Sequence, residues 1–238
     1  MINGYSAEQI RTAERPHLAN GEPLMQRAAT GLADEIRTVL GQRGSRRPDT
    51  PGRILLLVGS GDNGGDGLFA GAELAAEGVK VTVVQVGERM HEAGLAAAVA
   101  AGAHIATSAP LDDFRLEALA GLAAREDVIV DAIVGTGTSP DPALRGVARE
   151  IVAAILPVLS APDGPVVVAV DIPSGIDPTD GSVPDPVVLP ADVTVTFGGV
   201  KSGLLLPPAS GLAGRVRLID IGLGPDLARL TPVVQRPE

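Results

Sequence analysis

Neither cysteine nor tryptophan occurs among the 238 residues. The lack of cysteine rules out disulfides, thiolate nucleophiles and thiolate zinc sites, and a chain this long buries roughly 70% of its unfolded surface without a covalent staple. Histidine is almost as rare: His17, His91 and His104 lie far apart, without metal-ligand spacing. The aromatic residues are Tyr5, Phe69, Phe114 and Phe197, too few for a site of stacked rings. Positive charge is also short, with Lys+Arg 19 against Asp+Glu 29 and a formal net charge of −10. A nucleic acid or an anionic membrane, both of which need a concentrated basic surface, is therefore not an expected partner. The apolar runs are too short to span a bilayer, and Met1 to Ala13 carries no signal-peptide pattern. A cytoplasmic protein is the expectation.

What is present is an alternation of two patterns. Ser6 to Leu18 reads as a helix capped by Ser6, and Pro23 to Val39 as a second with Leu24, Ala28, Leu32 and Ile36 on one stripe. A Gly-, Arg- and Pro-rich stretch from Gly41 to Arg53 follows, where Arg43, Arg46 and Arg47 read as a solvated loop or, alternatively, as a basic rim near an anionic ligand. Ile54 to Val58, Val79 to Val86, Val128 to Val130, Val166 to Val170 and Val193 to Phe197 are apolar runs of strand character, with Val216 to Ile219 as an edge addition. Helical patterns lie between most of them: Gly67 to Ala76, His91 to Ala101, Leu111 to Arg125 and Ala143 to Leu156. Such alternation predicts a mainly parallel sheet with helices on both faces, a Rossmann-like three-layer α/β/α sandwich. Residues 1–238 read as one domain, with no internal repeat.

Three strands end in polar, glycine-rich turns: Gly59 to Gly67, Asp131 to Thr138 and Asp171 to Asp177. Parallel strands place all three on one edge, where open sheets bind ligands. The first turn contains Gly-x-Gly-x-x-Gly, a weak signal alone. The acidic residue expected at the end of the next strand is missing, since Gln85 and Val86 stand there and Glu88 follows Gly87. The Gly-Lys-Ser/Thr of a triphosphate loop is missing too. Five glycines predict close approach of backbone amides to an anion, helped by a helix starting near Gly67. Asp62, Asn63 and Asp66 supply groups for sugar hydroxyls or a hard cation. Asp131 and Asp171 each end a buried strand and need partners there. Ser174 offers a hydroxyl to the same space, and Lys201, in a glycine-flanked turn, an ammonium.

Gly61-Asp62-Asn63-Gly64-Gly65-Asp66-Gly67, Val130-Asp131-Ala132-Ile133-Val134-Gly135-Thr136-Gly137 and Val170-Asp171-Ile172-Pro173-Ser174-Gly175 resemble the signatures of the YjeF amino-terminal domain, the NAD(P)H-hydrate epimerases. Leu24-Met25-Gln26-Arg27-Ala28 and Thr196-Phe197-Gly198 through Lys201 extend the likeness over nearly the whole chain. The resemblance implies a homodimer that interconverts the R and S hydrates of NADH and NADPH, alongside a fused or separate ATP- or ADP-dependent dehydratase. It implies substrate binding by Asp62, Asn63, Gly64, Gly65 and Asp66, by Gly135, Thr136, Gly137, Thr138, Ser139, Pro140 and Asp141, and by Asp171. It also implies a potassium ion (K+) held by Asn63, Asp131 and Ser174. Asp171 is the first choice for proton transfer and Lys201 the second, as its orienting cation or acid-base partner. Asp62 departs from the family's usual Asn-Asn, and Gln26-Arg27 from its Glu-Asn. Two other readings stay open: a non-catalytic nucleotide-binding or scaffold module, and, less supported, an NAD-dependent oxidoreductase. The last residues, Thr231 to Glu238, read as either a natural end or a cut linker.

Overall fold

A short strand, β1 (Ile2–Tyr5), precedes the first helix, α1 (Ala7–Ala19), in the computed structural model, which describes residues 1–43, 50–106, 113–137 and 141–237. Ser6 is the expected cap: its hydroxyl accepts the Gln9 amide while the Gln9 side chain accepts the Ser6 amide. α2 (Leu24–Arg43) buries its apolar stripe. Arg46 and Arg47 lie outside the described residues. Arg43 reaches back to the carbonyls of Asp127 and Gly164 instead of standing free.

The alternating part follows: β2 (Arg53–Val58), α3 (Asp62–Ala76), β3 (Lys80–Gln85), α4 (Glu92–Ala100), β4 (His104–Ala106), α5 (Asp113–Ala123), β5 (Val128–Ala132), α6 (Gly146–Leu159), β6 (Val166–Val170) and β7 (Val193–Phe197). The chain then forms β8 (Val200–Lys201), two short 3₁₀ turns (Ser202–Leu205 and Ala209–Gly211), β9 (Arg215–Ile219), α7 (Gly224–Leu227) and β10 (Val234–Arg236). The described residues form a main sheet of seven strands in the order β4-β3-β2-β5-β6-β7-β9, with every neighbouring pair parallel. This is the expected Rossmann-like sandwich. A three-stranded sheet, β10-β1-β8, stands beside it.

Alternate residues of β2 serve opposite cores. Ile54, Leu56 and Val58 pack with residues of α2, α3 and α4, whereas Leu55 and Leu57 pack with those of α5 and α6. Right-handed crossovers account for this division: the chain winds outward from β2 through β3 to β4, then returns to β5 and winds the other way. No helix among the described residues is long and apolar enough to cross a membrane.

Two expectations need correction. The glycine-rich segment after β2 is not a loop leading to a helix near Gly67; α3 begins at Asp62, with Gly61 at its cap. Glycine propensity opposes this, and close packing overrides it. A Cβ on Gly64 would stand 2.5 Å from the Gly59 carbonyl oxygen, and one on Gly67 2.8 Å from the Ala132 Cβ. α6 starts three residues later than the pattern suggested, at Gly146, whose φ is +50°.

Candidate active site

β2 and β5 are neighbours from which the chain departs in opposite directions, and that switch point opens a crevice beyond their carboxyl ends. A cavity of about 1610 Å³ occupies it. This exceeds the few hundred to roughly 1,000 Å³ typical of drug-sized ligands and suits something as long as a dinucleotide. The three polar turns do meet there: Asp62, Asn63 and Asp66, then Gly135, Thr136 and Gly137, then Asp171, with Lys201, all line it.

Asp171 and Lys201 form the floor. Asp171 is 7% exposed and Lys201 2%. Asp171 has φ +66°, a left-handed conformation that no other non-glycine residue described here adopts. Its amide donates to the Val195 carbonyl at 2.7 Å, fixing that conformation. The Lys201 ammonium donates to Asp171 Oδ1 and, at 2.9 Å, to the Phe197 carbonyl. The Thr196 hydroxyl at 3.2 Å and the Phe197 amide at 3.3 Å also donate to Oδ1. All these donors converge on one oxygen, leaving Oδ2 without a donor among the described residues and able to meet a ligand. A lysine near a strand end reads as surface from sequence; β8 buries this one by pairing with β1, Tyr5 opposite Lys201.

Asp131 lies inside β5 instead of in the turn after it, and is fully buried. It accepts the Ser174 hydroxyl at 2.6 Å, the Ser174 amide at 2.8 Å and the Ile133 amide at 3.3 Å. Burial nonetheless pushes its carboxyl above the usual range. The Ser174 hydroxyl also accepts the Val134 amide. Asn63 is the exception to this satisfaction: both polar atoms of its amide are buried without a partner among the described residues. A Cβ on Gly135 would lie 2.9 Å from Asn63 Oδ1, so Asn63 adjoins the same turn. No group of three or more His, Cys, Asp or Glu among the described residues could hold a metal. Any cation here would instead be held by amide, hydroxyl and carbonyl oxygens around one carboxylate.

Other expected site residues divide. Gly64 and Gly65 do not line the cavity; their amides donate to the Gly61 carbonyl, and their missing Cβ atoms admit neighbouring groups. Asp141 does not line it either, its carboxylate accepting the Ala143 amide and the Arg145 guanidinium. Thr138, Ser139 and Pro140 lie outside the described residues. Asp62 is exposed at the rim. Asp66 has its carboxyl held well above the usual range by lost hydration first, then by Asp171 and Asp62.

Sequence reasoning found α1 as a helix but missed its place in the site. Glu8, Arg11, Glu14, Arg15 and Leu18 line the cavity from one face of this helix. Arg11 donates to the Thr136 carbonyl at 2.7 Å, tying α1 to the turn after β5. The i, i+3, i+7 spacing was visible, but charged residues on an amphipathic helix read as a solvated face. Glu88 also lines the cavity, so a carboxylate does stand beyond β3, where open sheets hold a ribose. The departure at Arg27 has a structural role: its guanidinium joins Glu22 at 3.0 Å and the Ile221 carbonyl at 2.8 Å.

Residues 21–203 match the family described as YjeF-related protein N-terminus. The NAD(P)H-hydrate epimerase of Clavibacter michiganensis subsp. michiganensis is 52% identical over 235 residues, covering 99% of this chain and 96% of that protein. Its counterpart in Microbacterium testaceum is 46% identical, covering 98% and 84%. The bifunctional NAD(P)H-hydrate repair enzyme Nnr of Mycobacterium tuberculosis is 40% identical over 96% of this chain, which spans 43% of that protein. The crystal structure of yeast ynu0 (YNL200c) has the same fold, with a TM-score of 0.71 at 20% identity, covering 91% of this chain and 87% of the yeast one. The acid-bearing turns, the sheet that gathers them and these relatives agree: the chain belongs to the family of the YjeF-related protein N-terminus.

Proposed function

We propose that this protein is an isomerase, an NAD(P)H-hydrate epimerase that interconverts the R and S hydrates of NADH and NADPH in the repair of damaged nicotinamide cofactor. One observation carries the reading: Asp171 lines a dinucleotide-sized cavity while Lys201, Thr196 and Phe197 all hold its Oδ1, which leaves Oδ2 the oxygen open to a ligand. Hydration of a dihydropyridine leaves the hydroxyl on the carbon beside the ring nitrogen, because protonating the enamine puts positive charge there. Inverting that carbon requires moving protons on and off oxygen or nitrogen. A positioned carboxylate does this with typically 10²–10⁴-fold effect. Lys201 orients Asp171 and balances its charge in a buried setting. Asp62, Asp66 and the turn from Gly135 to Gly137 contact the substrate, and Glu88 takes a ribose hydroxyl.

The Asn63 amide, unpartnered among the described residues, adjoins Gly135 in the turn that Ser174 bonds at Val134, and Ser174 also bonds the buried Asp131; these oxygens fit a weakly polarising cation, and we assign K+ to them. Bound there, the ion would supply charge compensation and hold the turns after β5 and β6 in place. Residues 1–238 are proposed to form one epimerase domain in a cytoplasmic homodimer, whose S product a fused or separate dehydratase consumes.

The test follows separated R and S hydrate peaks chromatographically with the wild type and Asp171→Asn. A wild type no faster than the spontaneous interconversion overturns the enzyme reading, and an unimpaired variant overturns the role of Asp171. For the ion, thermal stability in potassium chloride should exceed that in choline chloride at equal ionic strength. Asn63→Leu should erase the difference. Equal stability of the wild type in both salts would refute the site.

A further inference from the structure

We infer that Glu14, on α1, is a second proton-transfer residue of the site, acting on the substrate ring from the helix side of the cavity that Asp171 lines from the sheet. This inference rests on the epimerase reading. Glu14 belongs to the α1 face that lines the cavity, and it lies before residues 21–203, which carry the family likeness. It is half-buried, and no hydrogen bond or ion pair occupies its carboxyl among the described residues. α1 is held firmly enough to place it. Its amino end is fixed by the Ser6–Gln9 cap, by the Ala7 amide on the Thr179 hydroxyl, and by the strand that pairs Tyr5 with Lys201. One turn before Glu14, Arg11 bonds to Thr136 across the cavity mouth.

The charged groups facing Glu14 are known. Arg11 and Arg15 flank it on α1, Lys201 and Asp171 approach from the sheet, and Asp62 and Asp66 from the first turn of α3. Lost hydration is the largest influence on its carboxyl and raises its proton affinity; Asp171 and Asp62 act the same way, and Lys201 and Arg11 oppose them. Lys201 bonds directly to Asp171 and only acts across space on Glu14. The two carboxyls therefore sit in unlike environments, an arrangement that separates acid from base.

An inverting exchange uses both. Protonated Glu14 gives its proton to the hydroxyl oxygen on the carbon beside the ring nitrogen. The C–O bond breaks, its electron pair leaves with the oxygen as water, and the nitrogen lone pair forms the C=N bond of an iminium. Water then adds from the other face. Its oxygen makes the new C–O bond, the C=N pair returns to nitrogen, and its spare proton passes to Asp171 Oδ2. No oxidant or reductant takes part, and Asp171 gains the proton that Glu14 loses. The reverse reaction exchanges the roles.

The test compares wild type, Glu14→Gln and Glu14→Asp by hydrate chromatography across pH, with NADP⁺ binding as the control. Glu14→Gln should lower kcat about 10²–10⁴-fold with NADP⁺ affinity retained. It should also lose the bell-shaped pH dependence that a singly protonated pair gives, and Glu14→Asp should recover part of kcat. A Glu14→Gln kcat within about threefold of wild type overturns the inference. So does a loss of rate matched by loss of NADP⁺ binding with an unaltered pH profile. An inactive wild type instead overturns the epimerase reading, and this inference with it.

Discussion

Replacing Lys201 by Met keeps an unbranched side chain out to the ε position and removes the ammonium with its charge. The ammonium is 2% exposed and holds both Asp171 and the Phe197 carbonyl. After the change, Asp171 keeps, among the described residues, the Thr196 hydroxyl and the Phe197 amide, at 3.2 and 3.3 Å, against a buried negative charge. Breaking a buried ion pair from one side costs about 3–5 kcal/mol, because the surviving charge is left uncompensated. At roughly 2–4 °C per kcal/mol for a chain of this size, Tm should fall by about 6–20 °C. The double variant Lys201→Met/Asp171→Asn removes the orphaned charge and should recover much of the loss. Its Tm should lie above that of Lys201→Met, with a coupling energy of up to about 3 kcal/mol between the two sites. Calorimetry on the wild type, both single variants and the double variant measures all of this. A Lys201→Met protein melting within about 2 °C of wild type would refute the buried-pair argument, since surface changes have that size. Strictly additive single effects would show that the two groups do not share their charge.

Two further perturbations follow from other parts of the molecule. His17 bridges Asp226 at 2.9 Å and Glu22 at 2.8 Å, and its pKa is raised above 6.5, by the Asp226 bond first and the Glu22 bond second. A raised folded-state value means that the folded protein binds the proton more tightly, so the contribution is complete below pH 6.5 and fades as pH rises through the folded value. The Tm gap between wild type and His17→Gln should therefore narrow as pH increases across that window, and a constant gap would refute the linkage. Gly59→Ala should destabilise by more than about 4 kcal/mol, because the added Cβ would land on the Ile133 carbonyl. Gly61→Ala meets nothing within 4 Å and should cost no more than the roughly 1 kcal/mol of a helix-cap change. Urea titration of both decides it, and similar midpoints would contradict the packing account.

The main sheet was legible because its strands are doubly buried: Ile54 to Val58 and Val166 to Val170 are uninterrupted apolar runs of strand length. The convergence of Asp62, Asn63, Asp66 and Asp171 followed from parallel direction alone, which fixes the edge on which turns emerge. β1, β8 and β10 escaped notice because two to four residues carry no period, and their pairing joins positions about 200 residues apart. β4, three residues long, was missed for the same shortness. The start of α3 was misread because local preference for glycine in turns is stronger than any local sign of what Gly64 and Gly67 lie against. Glu14 was hidden by its chemistry, since nothing local separates an acid facing solvent from one facing a cavity. The local bonds of Asp141, to the Ala143 amide and the Arg145 guanidinium, were no more legible, since an acid in a polar turn carries no sign of which groups it meets.

The pairing of β1 with both β8 and β10 also makes the outermost residues of the fold custodians of its centre. Gly4 lies against Val200 on one side and Val234 on the other, and a Cβ there would come within 2.6 Å of the Val234 side chain. Trimming the first five residues, or threading an affinity tag between Ile2 and Arg236, would loosen the bench on which the buried ammonium rests, far along the chain from any acid it serves.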